Sequence, residues 1–467
     1  MDETIDLSTV STRFVEGGAP MPGIVLVASG GAAAYGVAAV ASEPVEIGRG
    51  DVLGFTLADA SVSRQHVRVQ FEGACWTVSD LGSRNGTSLD GTRITGTVHG
   101  GARHVLRAGS SLFVLLPDVR KHSLGTVQAD GERVIGPGLA SALEEVRSAA
   151  RHGDPLHLTG ESGAGKELAS RVYHEATGRP NGPLVAVNCA TIPEGLAERL
   201  LFGARKGAFS GATADTEGYI QAASGGTLFL DELGELDLGV QGKLLRVLET
   251  SEVTPLGATR PQRVDIRICS ATLVDLRARV EARRFREDLY FRIGRPHVML
   301  PPLRDRPEEI PHLVLRAAAG VDGQLAVAGS LFEECLLRPW PGNVRELLAA
   351  VREAARVAKG RGATTVDRTC LAETAGRPFG SAAESSARSA AASASALPAD
   401  AAIVPLAGRE PTREELVAVL RRAGGNVSSA ARALGLHRTQ LRRYLARHEL
   451  DAKSFAIDAA GPTESED

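Results

Sequence analysis

"LTGESGAGKELAS", residues 158–170, decides how the middle of this chain folds. Gly160, Gly165 and Lys166 fit the phosphate-loop spacing G-x-x-x-x-G-K-[ST], but Glu167 stands where a hydroxyl normally meets Mg²⁺. The flanks suit the loop. "PLHLTG" (155–160) reads as a buried strand and "KELASRVYHEA" (166–176) as a helix. A loop between them presents the backbone of Gly160, Glu161, Ser162, Gly163, Ala164 and Gly165 to phosphate. The helix N-terminus behind it adds partial positive charge. Lys166 is placed to reach the β- and γ-phosphates of ATP.

Downstream, "GGTLFLDE" (225–232) is an apolar strand ending in Asp231 and Glu232. A strand-terminal acid pair beyond a phosphate loop suits a metal ligand and a group that polarises water. We assign Asp231 to Mg²⁺ and Glu232 to the attacking water. Further apolar runs, "PLVAVNCA" (183–190) and "VDIRICSAT" (264–272), alternate with helical stretches such as "SALEEVRSAARHG" (141–153). That alternation implies a parallel sheet with crossover helices. Beyond residue 303 the pattern turns helical, through "EEIPHLVLRAAAG" (308–320), "LFEECLL" (331–337) and "NVRELLAAVREAARVAKG" (343–360).

The chain has 467 residues, 43% hydrophobic and 23% charged, which fits several soluble globular domains. The net charge of -3 selects no partner, and five scattered cysteines show no metal-ligand spacing. No basic-then-apolar leader and no long uncharged apolar run is present, so the expectation is a cytoplasmic protein without membrane contact.

Residues 23–116 carry short apolar runs broken by turn residues, including Asn85-Gly86, and read as an all-β sandwich. Residues 377–402 are dominated by Ala and Ser and read as a linker. The expected division is an N-terminal extension 1–22, sandwich 23–117, linker 118–133, α/β ATPase part 134–302 and helical lid 303–376. An Ala/Ser-rich linker 377–408, a helix-turn-helix 409–450 and a tail 451–467 complete it.

The stretch from about 134 to 372 resembles the AAA+ ATPase domain of bacterial enhancer-binding proteins that activate sigma-54 RNA polymerase. That family's phosphate loop reads G-E-S-G-x-G-K-E, so Glu167 is its own choice, and the resemblance implies a second Mg²⁺ oxygen there. "NCATIPEGLAERLLFGARKGAFSGA" (188–212), "QGKLLRVLE", "FREDLYFRI", "LPPLRDRPEEI" and "WPGNVREL" follow in the family's order. The resemblance implies roles for several residues. Asn188 would hold and release Glu232, and Arg286 and Arg292 would reach a neighbouring subunit's site in a hexameric ring. Such an arginine finger is worth ~10³ or more in rate. Arg345 would be the sensor on the lid. The loop Gly207, Ala208, Phe209, Ser210, Gly211, Ala212 would touch the sigma factor. Two departures stand out: Leu273 replaces the family's sensor Asn after Thr272, and Ser210 replaces Thr. Leu200, Ala204 and Arg205 also differ from the family's Glu, His and Glu.

"IGRGDVLGFTLADASVSRQHVRVQFEG" (47–73) and "WTVSDLGSRNGTSLDG" (76–91) resemble a forkhead-associated (FHA) domain. The resemblance implies phosphothreonine-peptide binding through Arg49, Ser63, Arg84 and Asn85, and hence a Ser/Thr kinase or its substrate as partner. Charge-assisted bonds from Arg to phosphate fit that chemistry. His66 is expected to be structural.

"NVSSAARALGLHRTQLRRYLARH" (426–448) reads as helix, Gly-containing turn, helix. Residues 409–450 hold nine Arg against four Glu, so 9 − 4 = +5. The unit resembles a Fis-type DNA-binding domain. The resemblance implies a dimer on an upstream DNA site, with His437, Arg438, Thr439, Gln440, Arg442 and Arg443 on the recognition helix. The whole reads as an ATP-driven sigma-54 activator. The rival is a DNA-binding regulator or phosphoprotein scaffold whose ring binds nucleotide without remodelling polymerase, and Leu273 and the altered loop base favour it.

Overall fold

A computed structural model describes residues 19–378 apart from 41–42, 51–53, 132, 194 and 211. In the C-terminal part it describes residues 413, 416–417, 420, 438–448 and 450. The chain forms two compact units, 1–382 and 383–467.

The first unit opens with two sheets. One has the order β2 (Ala32–Ala39), β1 (Gly23–Ser29), β11 (Ser111–Leu116), β10 (His104–Ala108), β7 (Thr87–Leu89), β8 (Thr92–Ile94). The other has the order β4 (Gly54–Thr56), β3 (Val45–Gly48), β5 (Val67–Glu72), β6 (Cys75–Asp80), β9 (Thr97–Gly100). All pairs are antiparallel except β3 with β4. Alternate residues of both sheets meet in one core: Ile24, Leu26, Ile47, Val69, Trp76, Phe113 and Leu115 are buried there. The expected all-β sandwich is present.

After a small hairpin, β12 (Gln128–Asp130) and β13 (Arg133–Ile135), comes the α/β part. Helix α1 (Pro137–His152) starts on a proline and stops at Gly153, whose φ of 75° returns its N–H to the last turn. The central sheet has the order β15 (Leu184–Asn188), β16 (Thr227–Asp231), β19 (Arg267–Thr272), β14 (Leu156–Thr159), β20 (His297–Met299). Every pair is parallel, as the strand–helix alternation predicts. Strand β20 was not read from the sequence, because three residues wedged between Pro296 and Pro301 give no periodicity. Helix α2 (Lys166–Ala176) packs on α1; the short helices α3 (Ala197–Phe202) and α4 (Tyr219–Ala222) pack on each other; and α5 (Leu238–Thr250) and α6 (Leu276–Glu281) both touch α7 (Glu287–Ile293). Between α5 and β19 runs a short ladder of β17 (Glu252–Val253) and β18 (Gln262–Arg263).

Three helices make the lid: α8 (Ile310–Ala319), α9 (Gly329–Leu337) and α10 (Asn343–Gly360). Their apolar faces share one cluster that includes Leu313, Val314, Phe332, Leu336, Leu347 and Val351. Among the described residues no helix is long and apolar enough to cross a membrane.

In the second unit a helix spans Arg438–Arg447, with Leu441 and Leu445 buried one turn apart and Arg443 exposed. His437 lies outside the described residues, as do the Ala/Ser-rich stretch and the tail. For Arg438, Thr439, Gln440 and Arg442 only the helical backbone is described.

Candidate functional site

The phosphate loop sits between the end of β14 and the start of α2, at the carboxyl edge of the parallel sheet. Ligands bind at that edge in open α/β folds. Gly163 has a φ of 73°, and a Cβ there would lie 2.3 Å from the Gly342 carbonyl oxygen of the lid, so only glycine fits. Lys166 is buried and rests its ammonium on the Gly160 carbonyl, 2.9 Å away. Burial holds its pKa below the usual lysine value, against the pull of Glu232 and Asp231.

The loop is fastened from outside by residues the sequence reading passed over. Glu161 accepts two bonds from Arg304, at 2.7 and 2.9 Å, which hold its carboxyl below the usual range. Asn343, fully buried at the start of α10, donates to the Glu161 carboxylate and the Ser162 carbonyl at 3.0 Å. Its side-chain oxygen, Oδ1, accepts from the Leu303 amide at 2.7 Å. Arg306, also buried, joins the Ala164 carbonyl to the Glu309 carboxylate at 3.0 Å each. The signal was present in "LRDRPEE" and "PGNVREL": charged and amide groups amid apolar residues, which burial obliges to pair.

A cavity of about 810 Å³ opens in front of the loop. It brings together Ser162 to Glu167, Asn188, Asp231 and Glu232 with Arg345 from the lid. Arg345 lies 3.2 Å from the Ser162 hydroxyl. Val134, Leu139, Leu313 and Leu348 add an apolar wall, suited to a flat aromatic base, and Arg133 and Arg316 add charge at the rim. The volume, the loop and the lysine therefore fit a nucleoside triphosphate.

The acid pair departs from the expected pairing. Asn188 lies 3.5 Å from Asp231, and its side-chain oxygen accepts from the Ala190 amide, so it does not hold Glu232. Glu232 instead accepts from the Leu273 backbone amide at 3.2 Å. Its φ of 53° is a strained conformation of the kind that collects at working sites. Thr272 is buried with its hydroxyl on the Val274 carbonyl, and the Leu273 side chain is exposed, so neither side chain offers a donor toward phosphate. Asp231 and Glu167 supply oxygens of the type Mg²⁺ prefers, and both line the cavity. The Glu167 carboxylate is turned onto Arg171 at 2.9 Å and would have to swing inward.

Arg286 and Arg292 lie away from this cavity. Arg286 pairs with Asp288 at 2.7 Å, beside a separate cavity with exposed Phe291. Arg292 donates to the Leu248 carbonyl at 3.2 Å.

The segment 204–216 closes on itself through Ala204 and Thr216, at 2.7 and 2.9 Å. In place of an acid, Arg205 pairs with Asp215, whose other oxygen accepts from the Lys206 amide at 2.8 Å. The tip turns through bonds from Gly207 to Ala212 and from Ala212 to Phe209. Phe209 is 38% exposed, with the Arg199 guanidinium 5.2 Å from its ring centre. Ala208 and Ser210 flank it, and Gly211 lies outside the described residues.

In the sandwich, Arg49, Ser63, Arg84 and Asn85 gather at one end. Ser63 is the knot: its carbonyl accepts from the Arg49 amide at 2.9 Å and its hydroxyl from the Arg84 amide at 3.0 Å. Asn85 donates to the Ser61 carbonyl at 2.6 Å. Arg49, Arg84 and Asn85 are exposed. His66 is buried; its Nδ1 accepts from the Ser63 amide, leaving Nε2 to donate to the Gly86 carbonyl at 3.2 Å. That is a structural role. Burial lowers its pKa, so it stays neutral.

Residues 135–299 match the sigma-54 interaction domain, 45–112 the FHA domain, and 413–448 the Fis-family bacterial regulatory domain. This order of modules defines a bacterial transcription regulator built on a nucleotide-binding domain. The chain is 36% identical to the transcriptional regulatory protein GlrR of Escherichia coli, over 68% of each. It therefore belongs to the sigma-54-dependent transcriptional regulators. It is also 41% identical to the hydrogenase transcriptional regulatory protein HoxA of Bradyrhizobium diazoefficiens, over 66% of this chain and 62% of that one. The DNA-binding transcriptional regulator NtrC of Rhizobium meliloti is 43% identical over half of each. The chain thus spans less than two thirds of the length of HoxA and of the Nif-specific regulatory protein of Rhizobium etli.

Proposed function

We propose that this protein hydrolyses ATP to activate transcription by sigma-54 RNA polymerase. One observation carries the reading: a single cavity joins the phosphate loop, the strand-terminal acids Asp231 and Glu232, and a lid arginine. In this scheme the backbone of residues 160–165 and Lys166 hold the triphosphate. Asp231 and Glu167 hold Mg²⁺, which would neutralise charge on the β- and γ-phosphates. Glu232 orients water, and Arg345 couples the lid to the nucleotide. Arg286 and Arg292, both outside their own cavity, serve a neighbour's, which makes the working form a ring, with a hexamer as the proposed size. Phe209 on its closed loop is the contact to sigma-54.

The Fis-family unit places the ring on DNA, as a dimer through the helix that starts at Arg438, with His437, Thr439, Gln440, Arg442 and Arg443 as reading residues. The end of the sandwich at Arg49, Ser63, Arg84 and Asn85 takes a phosphothreonine peptide from a kinase or its substrate. The place of action is the cytoplasm, and the domain limits are those set out above.

A second reading has its own observation: Glu232 is engaged by the Leu273 amide, and neither the Thr272 nor the Leu273 side chain offers a donor toward the cavity. In that reading the ring binds nucleotide but remodels nothing. The deciding experiment measures steady-state ATP turnover at ring-forming concentrations, alongside open-complex formation on a sigma-54 promoter. Turnover with promoter opening supports the first reading. DNA binding without turnover replaces it with the second.

A further inference from the structure

An antiparallel sheet of a two-layer sandwich normally turns one face to water, so its strands alternate apolar and polar. Strands β1 and β11 do not. Residues 23–28 and 111–115 are buried on both faces. Ile24, Leu26, Phe113 and Leu115 enter the sandwich core. Val25, Val27, Leu112 and Val114 point the other way, into the cluster that contains Leu313, Val314, Phe332 and Leu336 of the lid. The sandwich and the lid therefore share one core.

Polar groups fix the register of that seam. Arg107 pairs with buried Glu333 at 3.2 Å, and Arg103 donates to the Leu336 carbonyl at 3.3 Å. At the other margin Tyr35 donates to the His122 carbonyl, and His122 lies 3.2 Å from Glu308. Next to it, Glu309 accepts from the Gly136 amide at 2.8 Å and from Arg306, which reaches into the phosphate loop. A chain of bonds also runs from the peptide end of the sandwich toward the seam. Asn85 holds Ser61, Ser61 accepts from the Ser110 amide, and Ser110 and Ser111 both bond Asp59. A Cβ at Gly329, the first residue of α9, would meet the Ser110 carbonyl at 3.9 Å.

We propose that the sandwich is a fixed layer of the lid rather than a tethered sensor, so that Arg49, Ser63 and Arg84 travel with Asn343 and Arg345 as one body over the nucleotide. A ligand at the loop end then acts through lid position, and by linkage nucleotide and ligand alter each other's affinity by the same factor. Only the identity of the two ligands rests on the functional reading above; the shared body does not.

The test uses the full chain with Cys370→Ser. Cys75, exposed on β6, carries one spin label; Cys189, Cys269 and Cys335 are buried. The second label goes to Glu353→Cys on the lid, or in a separate sample to Glu249→Cys on the α/β part, both exposed. Pulsed electron-spin distances are measured without nucleotide, with ADP, and with a non-hydrolysable ATP analogue, each at saturation shown by equilibrium dialysis. The expected 75–353 distance is single, narrow and the same in all three states, while 75–249 shifts between them. A broad or nucleotide-dependent 75–353 distance overturns the proposal, as does a 75–249 distance that never changes. Val25→Lys with Val114→Lys should broaden 75–353; a distance that stays narrow there also overturns it. No readout uses a peptide, hydrolysis or polymerase, so failure here is distinct from failure of the functional reading.

Discussion

The Leu273 backbone amide donates to the Glu232 carboxylate at 3.2 Å, across the gap between β19 and β16. The position that lacks a polar sensor side chain thus still holds, through its main chain, the acid proposed to polarise water. Leu273→Asn keeps that amide and adds a side-chain donor next to it, at the position of the family's polar sensor. Oriented donors act mainly on the transition state, and one such donor is worth ~10²-fold or more where it is optimal. We expect kcat for ATP to rise several-fold with KM unchanged. Steady-state kinetics check this, and an unaltered kcat would mean that the missing side chain limits nothing.

Asn343 ties the lid to the phosphate loop from a fully buried position. Asn343→Ala strands the Leu303 amide and frees the Glu161 and Ser162 oxygens. The expected loss is about 2–4 kcal/mol of stability, with weaker ADP binding. Thermal unfolding with and without ADP measures both. Loss of stability without loss of affinity would confine Asn343 to the fold.

Phe209 is half-exposed on a loop closed at its base, and it contributes nothing to the nucleotide cavity. Phe209→Ala is expected to leave ATP turnover within a factor of about two while abolishing promoter opening, because a surface substitution moves stability little. Parallel ATPase and open-complex assays separate the two, and normal opening would remove the loop from the scheme.

Arg49 is exposed at the proposed phosphopeptide end, its amide on Ser63 and its Nε 3.3 Å from the Val62 carbonyl. Arg49→Ala should weaken a phosphothreonine peptide about 10- to 100-fold, the worth of one charge-assisted contact, and leave a plain threonine peptide unaffected. Fluorescence anisotropy on the full chain reads this. Equal affinity for both peptides would end the phosphothreonine reading.

Glu309 is fully buried; burial, then the neighbouring Glu308, push its carboxyl up to about 7 against the pull of Arg306. Arg306, Glu308 and, beyond Glu308, His122 are the charged or titratable groups around it. Between the usual carboxylate range and pH 7 the folded form keeps a proton that the unfolded chain has released. Stability from this group is therefore full below about pH 4.5 and lost as pH rises toward 7, with a slope on the order of 1 kcal/mol per pH unit. The depressed acids Asp80, Asp118 and Glu161 act in the opposite sense at lower pH. Glu309→Gln should flatten the slope between pH 5 and 7 in urea unfolding; an unchanged slope would place the proton elsewhere.

Much of this was legible in the residues. "GESGAGKE", "LFLDE" and "KELASRVYHEA" carry their own local geometry, so the phosphate loop, the acid pair and α2 follow from spacing and periodicity. Contacts between distant segments were not legible. The reach of Arg306 to Ala164, of Asn343 to Glu161, and of Leu273 to Glu232 depends on the fold bringing together positions 142, 182 and 41 residues apart. The seam between sandwich and lid lay halfway. "GIVLVASG" and "SLFVLL" are apolar at every position, which says that both faces are covered but not by what.

That unbroken apolar run has a consequence during synthesis. The sandwich leaves the ribosome first, yet the helices that cover Val25 and Val114 begin roughly 200 residues later, about 10–40 s at ordinary elongation rates. A nascent chain thus holds a finished module with one bare, oily flank while those residues are added. Apolar surface left open in this way is prone to aggregation until α8 and α9 emerge to cover it.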